Sequence, residues 1–172
     1  MNGTQNRIRS WAPIPLRLAL GFGLLFHGYP KLFTAEGNAS FVGMLAGIGV
    51  PAPGLSAYLI GAFEFFGGIL LVLGVGVRVI SALGAIEMLV AAVLVHWPAG
   101  FNFMNVTGTT ETGAMQFGLP GYEVNLLYMA GFTSLVISGA GALALPSVRQ
   151  DDYSRAAPEP RVEERPEVGA TR

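Results

Sequence analysis

The sequence predicts an all-α integral membrane protein: an antiparallel four-helix bundle with both termini in the cytoplasm and structured outer loops. Hydrophobic residues make up 52% of the 172 residues and charged residues only 12%, which is too apolar for an ordinary soluble domain. Most of the charges lie outside four long apolar runs. The chain also has 24 glycines, a residue that lets membrane helices approach each other closely.

Each apolar run is long enough to cross a bilayer. A hydrocarbon core of about 30 Å needs about 20 helical residues, and backbone polar groups inside lipid must be paired within a helix. The first run follows Arg7 and Arg9, as a signal peptide would, but no small-residue cleavage site follows it, so we interpret it as a retained anchor. The four runs are residues 15–33, 55–73, 77–97 and 124–145.

These runs divide the chain into three parts. Residues 1–12 form an N-terminal segment and residues 13–145 the four-helix domain. Residues 146–172 are rich in proline and charge with almost no apolar anchors, so this tail is expected to be disordered.

The basic residues predict the orientation. Of ten lysines and arginines, nine lie before or at the start of the first run, at the turn between the second and third, or after the fourth. Lys31 alone falls at the opposite side. Cytoplasmic loops keep the positive charge, so both termini are predicted to be cytoplasmic.

The connections differ in length. The short turn "GVGVR" predicts an antiparallel hairpin of the second and third helices. In the first outer loop, Phe41, Leu45 and Ile48 lie three or four residues apart, which predicts a short interfacial helix. The second outer loop, residues 98–122, is rich in Gly, Thr and Asn. No strand is expected anywhere in the chain.

Two carboxyl groups are predicted to lie deep in the membrane. Glu64 and Glu87 are each about ten residues into their helices, which places both near the middle of the bilayer. Small residues three positions before and four after each of them predict that both face the bundle interior. Because intramembrane acids are costly, both are functional candidates; the alternative is that they only fix helix pairing.

The first helix carries a basic face. His27 and Lys31 are one turn apart, and His27 lies at nearly the depth of Glu64, so a contact between these two side chains is expected. The alternative for Lys31 and Arg17 is that they mark the two membrane interfaces. A stripe at helical spacing contains Arg17, Gly21, Leu24, Gly28 and Lys31.

Composition excludes several chemistries and favours one. The chain has no cysteine, which excludes disulfides and thiolate metal sites within it, and 11 acidic against 10 basic residues indicate no nucleic-acid partner. The two histidines, His27 and His96, form no haem or metal pattern. A quinone headgroup needs a donor, an acceptor, an apolar slot and a proton source. We therefore expect Glu64 and His27 to handle protons and Glu87 to orient the ligand or relay protons. Lys31 and Arg17 are expected to supply a positive electrostatic field.

The ordered polar residues resemble those of the DoxX family of small bacterial membrane proteins. The resemblance extends from "RLALGFGLLFHGYPKLF" through "GAFEFFGG" and "GAIEMLVA" to "GYEVNLLYMAGF". The positions that carry it are Arg17, His27, Gly28, Lys31, Glu64, Gly67, Gly68, Arg78, Glu87 and Glu123.

The resemblance implies a four-helix protein of the bacterial inner membrane that takes part in a quinone-linked redox or oxidative-stress complex with soluble redox partners. Besides the candidates above, it implies ligand contacts at Gly28, Gly68, Arg78 and Glu123. A proton-coupled transporter component and a non-catalytic scaffold that recruits soluble enzymes remain alternatives, and self-association stays open.

Overall fold

The computed structural model describes residues 10–144, which are mostly helical. The predicted tail 146–172 and residues 1–9 lie outside the described part. The helices begin and end close to the predicted runs, except at the end of the fourth. The elements are α1 (Pro13–Phe33), α2 (Ala35–Gly47), α3 (Pro53–Leu73), α4 (Val77–Ala91), β1 (Val106–Thr109), β2 (Met115–Phe117) and α5 (Glu123–Ser138).

Within residues 10–144, two helical stretches are long and apolar enough to cross a membrane. One is α3, and the other is Val77–Ala99, in which α4 continues into a π-helical turn, Ala92–His96, and a 3₁₀ turn. The helix α5 is apolar but has only 16 residues. The helix α1 has the length, 21 residues, but its arginine, histidine and prolines make it less apolar.

The helices form two antiparallel pairs. In the first pair, α1 lies against α3: a Cβ added to Gly21 would come within 2.7 Å of Val72 and 3.1 Å of the Gly68 carbonyl oxygen. In the second pair, α4 lies against α5, where a Cβ added to Gly84 would come within 2.8 Å of the Phe132 ring. Glycine, which has no side chain, thus allows the two helices of each pair to approach closely.

The packed core occupies one half of the molecule, near the start of α1. Its buried members come from different helices and join the two pairs at that end. They include Leu20, Leu24, Leu71, Val77, Ile80, Phe132 and Leu135.

The fourth predicted helix, 124–145, was too long. The helix α5 ends at Ser138 because the next residue, Gly139, has a φ of 73°. Gly141 also has a positive φ, 77°, and the two glycines together turn the chain back over the ends of the helices. The carbonyl oxygens of Ala140 and Leu143 then accept hydrogen bonds from the Arg17 guanidinium.

The short helix predicted between the first two apolar runs is present as α2. The Thr34 hydroxyl accepts from the Gly37 N–H and caps its start. The Asn38 side chain donates to the carbonyl of Lys31 at 2.7 Å, and Leu45 is buried. The helix is therefore folded back onto the end of α1.

The expectation of no strands was wrong. In the second outer loop, β1 and β2 form an antiparallel hairpin in which Val106 pairs with Phe117 and Thr109 with Met115. Gly113, with a φ of 82°, makes the turn. The first strand, VTGT, is rich in β-branched residues and the second, MQF, ends in an aromatic residue, and both residue types favour strands. These few residues were hidden within the Gly- and Thr-rich composition.

Gly28→Ala tests the close approach of α1 and α3. A Cβ at this position would come within 2.9 Å of Glu64 Cβ and of the Gly61 carbonyl, and closer still to the Phe65 amide. We expect a loss of about 1–3 kcal/mol of stability from overpacking, measured by thermal unfolding in detergent.

The matched control is Gly43→Ala in α2, where an added Cβ would have no neighbour within 4 Å. Helix propensity alone should then stabilise the protein by about 0.5–1 kcal/mol. Equal effects of the two substitutions would contradict the glycine contact between α1 and α3.

Candidate functional site

A buried ion pair joins α1 to α3. Lys31 lies in the last turn of α1, and its Nζ donates to Oε1 of Glu64. The Glu64 side chain is 5% exposed and that of Lys31 15%. The pair forms because Gly61 leaves room for the lysine: a Cβ there would come within 2.9 Å of Lys31 Cβ.

Glu87, on α4, faces this pair. Its half-buried carboxyl group interacts electrostatically with both Glu64 and Lys31. The prediction that both acids face a shared interior is thus matched by the geometry. One cation stands against two carboxyl groups, so the three side chains do not neutralise each other by themselves.

Two carboxyl oxygens of this cluster have no hydrogen-bond partner among the described residues. These are Oε2 of Glu64 and Oε2 of Glu87, and both atoms are buried. A buried polar atom without a partner costs about 1–3 kcal/mol, so such atoms are rare in folded proteins and commonly mark a functional site.

A cavity of about 530 Å³ adjoins the cluster. Apart from Lys31, Glu64 and Glu87, every lining side chain is apolar, and the walls come from α2, α3, α4 and the π-helical turn. Small-molecule sites in proteins have this size and this combination of an apolar wall with a few convergent polar groups.

The cavity opens sideways between α3 and α4. These two helices contact each other much less than the helices within either antiparallel pair. Several lining side chains on α3, α4 and the π-helical turn are also exposed on the outer surface of the helices: Leu59, Leu83, Ile86, Val90 and Leu94.

The π-helical turn at the end of α4 forms part of the cavity wall. π-helical turns widen a helix by one residue and are frequent at functional sites. Leu94 and Val95 in this turn line the cavity, and Nδ1 of His96 is 2.8 Å from the carbonyl oxygen of Pro120. His96 therefore anchors the end of α4 to the outer loop.

Phe41 of α2 completes the surroundings of the lysine. Lys31 Nζ lies 4.1 Å from the centre of the Phe41 ring, a cation–π distance. Sequence reasoning placed Phe41 on a short helix but missed this contact. The short connection between the two helices could have indicated this contact. Only Thr34 separates α1 from α2, so α2 must fold back over the end of α1.

His27 does not contact Glu64 as expected. Its side chain is exposed, and its ring lies edge-on to Phe26 with 6.0 Å between centroids. The neighbouring residue Gly28 is the one that faces α3. Adjacent residues on an α-helix differ by about 100° in direction, so His27 turns away from the partner that Gly28 meets.

Arg17 lies at the other end of α1. It is 14 positions before Lys31, about 21 Å along the helix. The residue is 2% exposed, and its guanidinium donates to the carbonyl oxygens of Val72, Ala140 and Leu143. It therefore holds the end of α3 and the segment after α5 together, and it lies far along α1 from Lys31 and the cavity that Lys31 lines.

The remaining predicted contacts also lie outside the cavity. Arg78 is exposed beside Gly139, and Glu123 begins α5 with Oε2 accepting from the Phe103 N–H at 3.1 Å. Gly28 and Gly68 are in the contact between α1 and α3. The structure thus brings together Lys31, Glu64 and Glu87 only.

Comparison with known proteins gives a family and one named relative. The DoxX family model matches residues 12–97. A Bacillus subtilis (strain 168) protein named "Putative oxidoreductase CatD" is 34% identical over 86 residues, which are 50% of this chain. The match spans 60% of that relative, less than two thirds of its length. No solved structure matches the chain.

Lys31→Met tests the ion pair. Removing the cation leaves the Glu64 carboxyl group buried without its partner, and losses of about 3–5 kcal/mol follow when one member of a buried pair is deleted. We expect a lower midpoint of thermal unfolding in detergent, and recovery of most of the loss in Lys31→Met/Glu64→Gln. The control is Glu111→Gln in the exposed turn between β1 and β2, which should change nothing. Additive effects in the double variant would show that the pair is not formed.

Proposed function

The chain belongs to the DoxX family, and from this premise we propose that it is a membrane protein that binds a small lipophilic molecule, a quinone or a similar ring, within a redox or oxidative-stress complex. The observation that carries the proposal is the apolar cavity between α3 and α4 whose polar end holds two buried, unpartnered carboxyl oxygens. An apolar wall with few polar groups suits a ligand of this kind.

The proposed setting is a bilayer crossed by α1, α3, α4 and α5. Large apolar side chains project outward along these helices, and contiguous exposed apolar surface of this kind marks membrane contact. They include Phe22, Phe26, Leu59, Phe66, Val79, Leu83, Ile86 and Ile137.

The proposed orientation places the Arg17 and Arg78 end in the cytoplasm of a bacterial inner membrane. Basic residues accumulate at cytoplasmic ends, and Arg78 is exposed in the first turn of α4. The cavity, α2 and the β-hairpin then lie in and above the outer half of the bilayer.

The cavity residues suit a ring with polar oxygens. The apolar walls hold the ring and exclude water. Lys31 and the two carboxyl groups together form the polar end of the cavity. Glu64 and Glu87 are the groups that can hold or release protons there, each at its Oε2 atom. A quinone, when bound, would supply the electron-accepting chemistry. The chain has no cysteine that could supply thiol redox chemistry.

The named relative supports the redox part of the proposal, since its printed name is that of an oxidoreductase. Soluble redox partners are carried over from the family resemblance alone. A proton-coupled transporter would use the same carboxyl groups, but it needs a path to both faces, and the packed core around Leu71, Phe132 and Leu135 closes the cytoplasmic half.

Glu64→Gln tests ligand binding. The protein is purified in mild detergent and its bound lipophiles are extracted and identified by mass spectrometry. Wild-type protein should carry a quinone or related ring compound, counted as the sum of its oxidised and reduced forms. Glu64→Gln should carry roughly tenfold less, because a hydroxyl group of the reduced form loses its hydrogen bond to a charged group.

Two further variants sharpen this measurement. Glu111→Gln, an exposed carboxyl group remote from the cavity, should keep the ligand, and so should His27→Ala, because its ring is exposed. Wild-type protein that carries no ring compound, or equal loss in Glu64→Gln and Glu111→Gln, would refute binding at this site.

Single cysteines test the orientation, because the chain has none of its own. Thr112→Cys lies in the turn between β1 and β2, and Val75→Cys in the turn between α3 and α4. In intact cells, or in spheroplasts where an outer membrane is present, a membrane-impermeant maleimide should label the first, and the second only after lysis. The reverse pattern would overturn the proposed orientation.

A further inference from the structure

We infer that the cavity selects a lipophilic diphenol, the reduced form of a quinone, over the quinone itself. This inference rests on the proposed function and adds the chemical state of the ligand. It follows from the balance of hydrogen-bond donors and acceptors at the polar end of the cavity.

The free atoms at that end are acceptors. Glu64 accepts from Lys31 through Oε1 and is thus a carboxylate, and its second oxygen, Oε2, can only accept. This side chain is 95% buried, and the atom has no partner among the described residues. Oε2 of Glu87 is a second buried oxygen without a partner among the described residues, and no ion pair is formed by its carboxyl group there.

The one charged donor group at this end is already partly engaged. Lys31 is the one lining side chain that carries a permanent donor, since every other lining residue is apolar or acidic. Its ammonium group faces Glu64 on one side and the Phe41 ring on another. A ketone oxygen would have to share this one ammonium group with Glu64, whereas two buried carboxyl oxygens have no partner among the described residues.

A ligand hydroxyl satisfies this arrangement and a ketone does not. Two O–H groups on one ring can donate to the two Oε2 atoms, while a quinone presents only acceptors to them. Sites built to bond a ligand hydroxyl discriminate strongly against analogues that lack it, because their own polar atoms are then left unpaired.

Charge and shape narrow the class further. The cluster has one more carboxyl group than cations, which disfavours anionic lipophiles such as fatty acids. The apolar walls and the sideways opening between α3 and α4 suit a ring with an alkyl tail. A lipophilic ammonium ion is also a donor, but it would meet the charge of Lys31 inside the same cavity.

The experiment compares matched probes under anaerobic conditions. Dissociation constants of 2-decylhydroquinone, its dimethyl ether, 2-decyl-1,4-benzoquinone and decylammonium are measured on the purified full chain in nanodiscs. We expect the hydroquinone to bind at least about tenfold more tightly than each of the other three. The ether and the benzoquinone lack the donors, which leaves a buried oxygen unpaired, and decylammonium is repelled by the charge of Lys31.

Glu87→Gln supplies the second arm. The amide brings an N–H donor into the cavity, so the preference for the hydroquinone over the benzoquinone should fall by roughly tenfold. Glu111→Gln should keep the wild-type preference. Thermal unfolding of both variants shows that each is folded.

The outcomes separate this inference from the proposed function. Hydroquinone, ether and benzoquinone that bind equally would overturn the diphenol preference and leave the lipophilic site standing. A tighter benzoquinone or decylammonium would also overturn it. Failure of all four probes to bind would refute the proposed function together with the inference.

Discussion

The contact between α1 and α3 across glycines is the constraint on which the rest of the structure depends. A carboxylate as deeply buried as that of Glu64 persists only with a cation beside it. Lys31 reaches it because Gly28 and Gly61 bring the two backbones together. The same approach fixes which face of α1 points inward and so decides that lysine, not histidine, meets the acid. A side chain at either glycine would separate the helices and leave both charges without partners.

The molecule divides into a packed half and an open half, and each has a physical cause. At one end, Arg17 bonds three carbonyl oxygens at the ends of α3 and α5, and the leucines and Phe132 fill the space between the pairs. At the other end, α3 and α4 have few mutual contacts, and α2 with the π-helical turn covers the gap. The cavity exists because, among the described residues, no contact like that of Arg17 joins α3 and α4 at this second end.

The sequence predicted the features that depend on composition along one helix. Apolar runs located α1, α3 and α4, and small residues around Glu64 and Glu87 predicted that both acids face inward. The contact of His27 was missed because a shift of one residue turns a side chain by about 100°, and depth alone does not give direction. The end of α5, the burial of Arg17 and the π-helical turn depend on contacts between distant segments, such as Arg17 with Ala140, which a single helix pattern does not contain. The hairpin was missed because its strands have only four and three residues.

The excess of carboxyl groups over cations links ligand binding to proton binding. A proton and a ligand hydroxyl would meet the same atom, Oε2 of Glu64 or of Glu87, so in the proposed site each weakens the binding of the other, and the linkage is reciprocal. A diphenol that enters from the proposed bilayer would find its proton acceptors already in place at the end of an apolar slot. Those acceptors are positioned by the helix pairs and not by the ligand: Glu64 is held by Lys31, and Glu87 lies on the neighbouring α4. A site prepared in this way loses little conformational freedom on binding, which favours a small ring ligand with few contacts to offer.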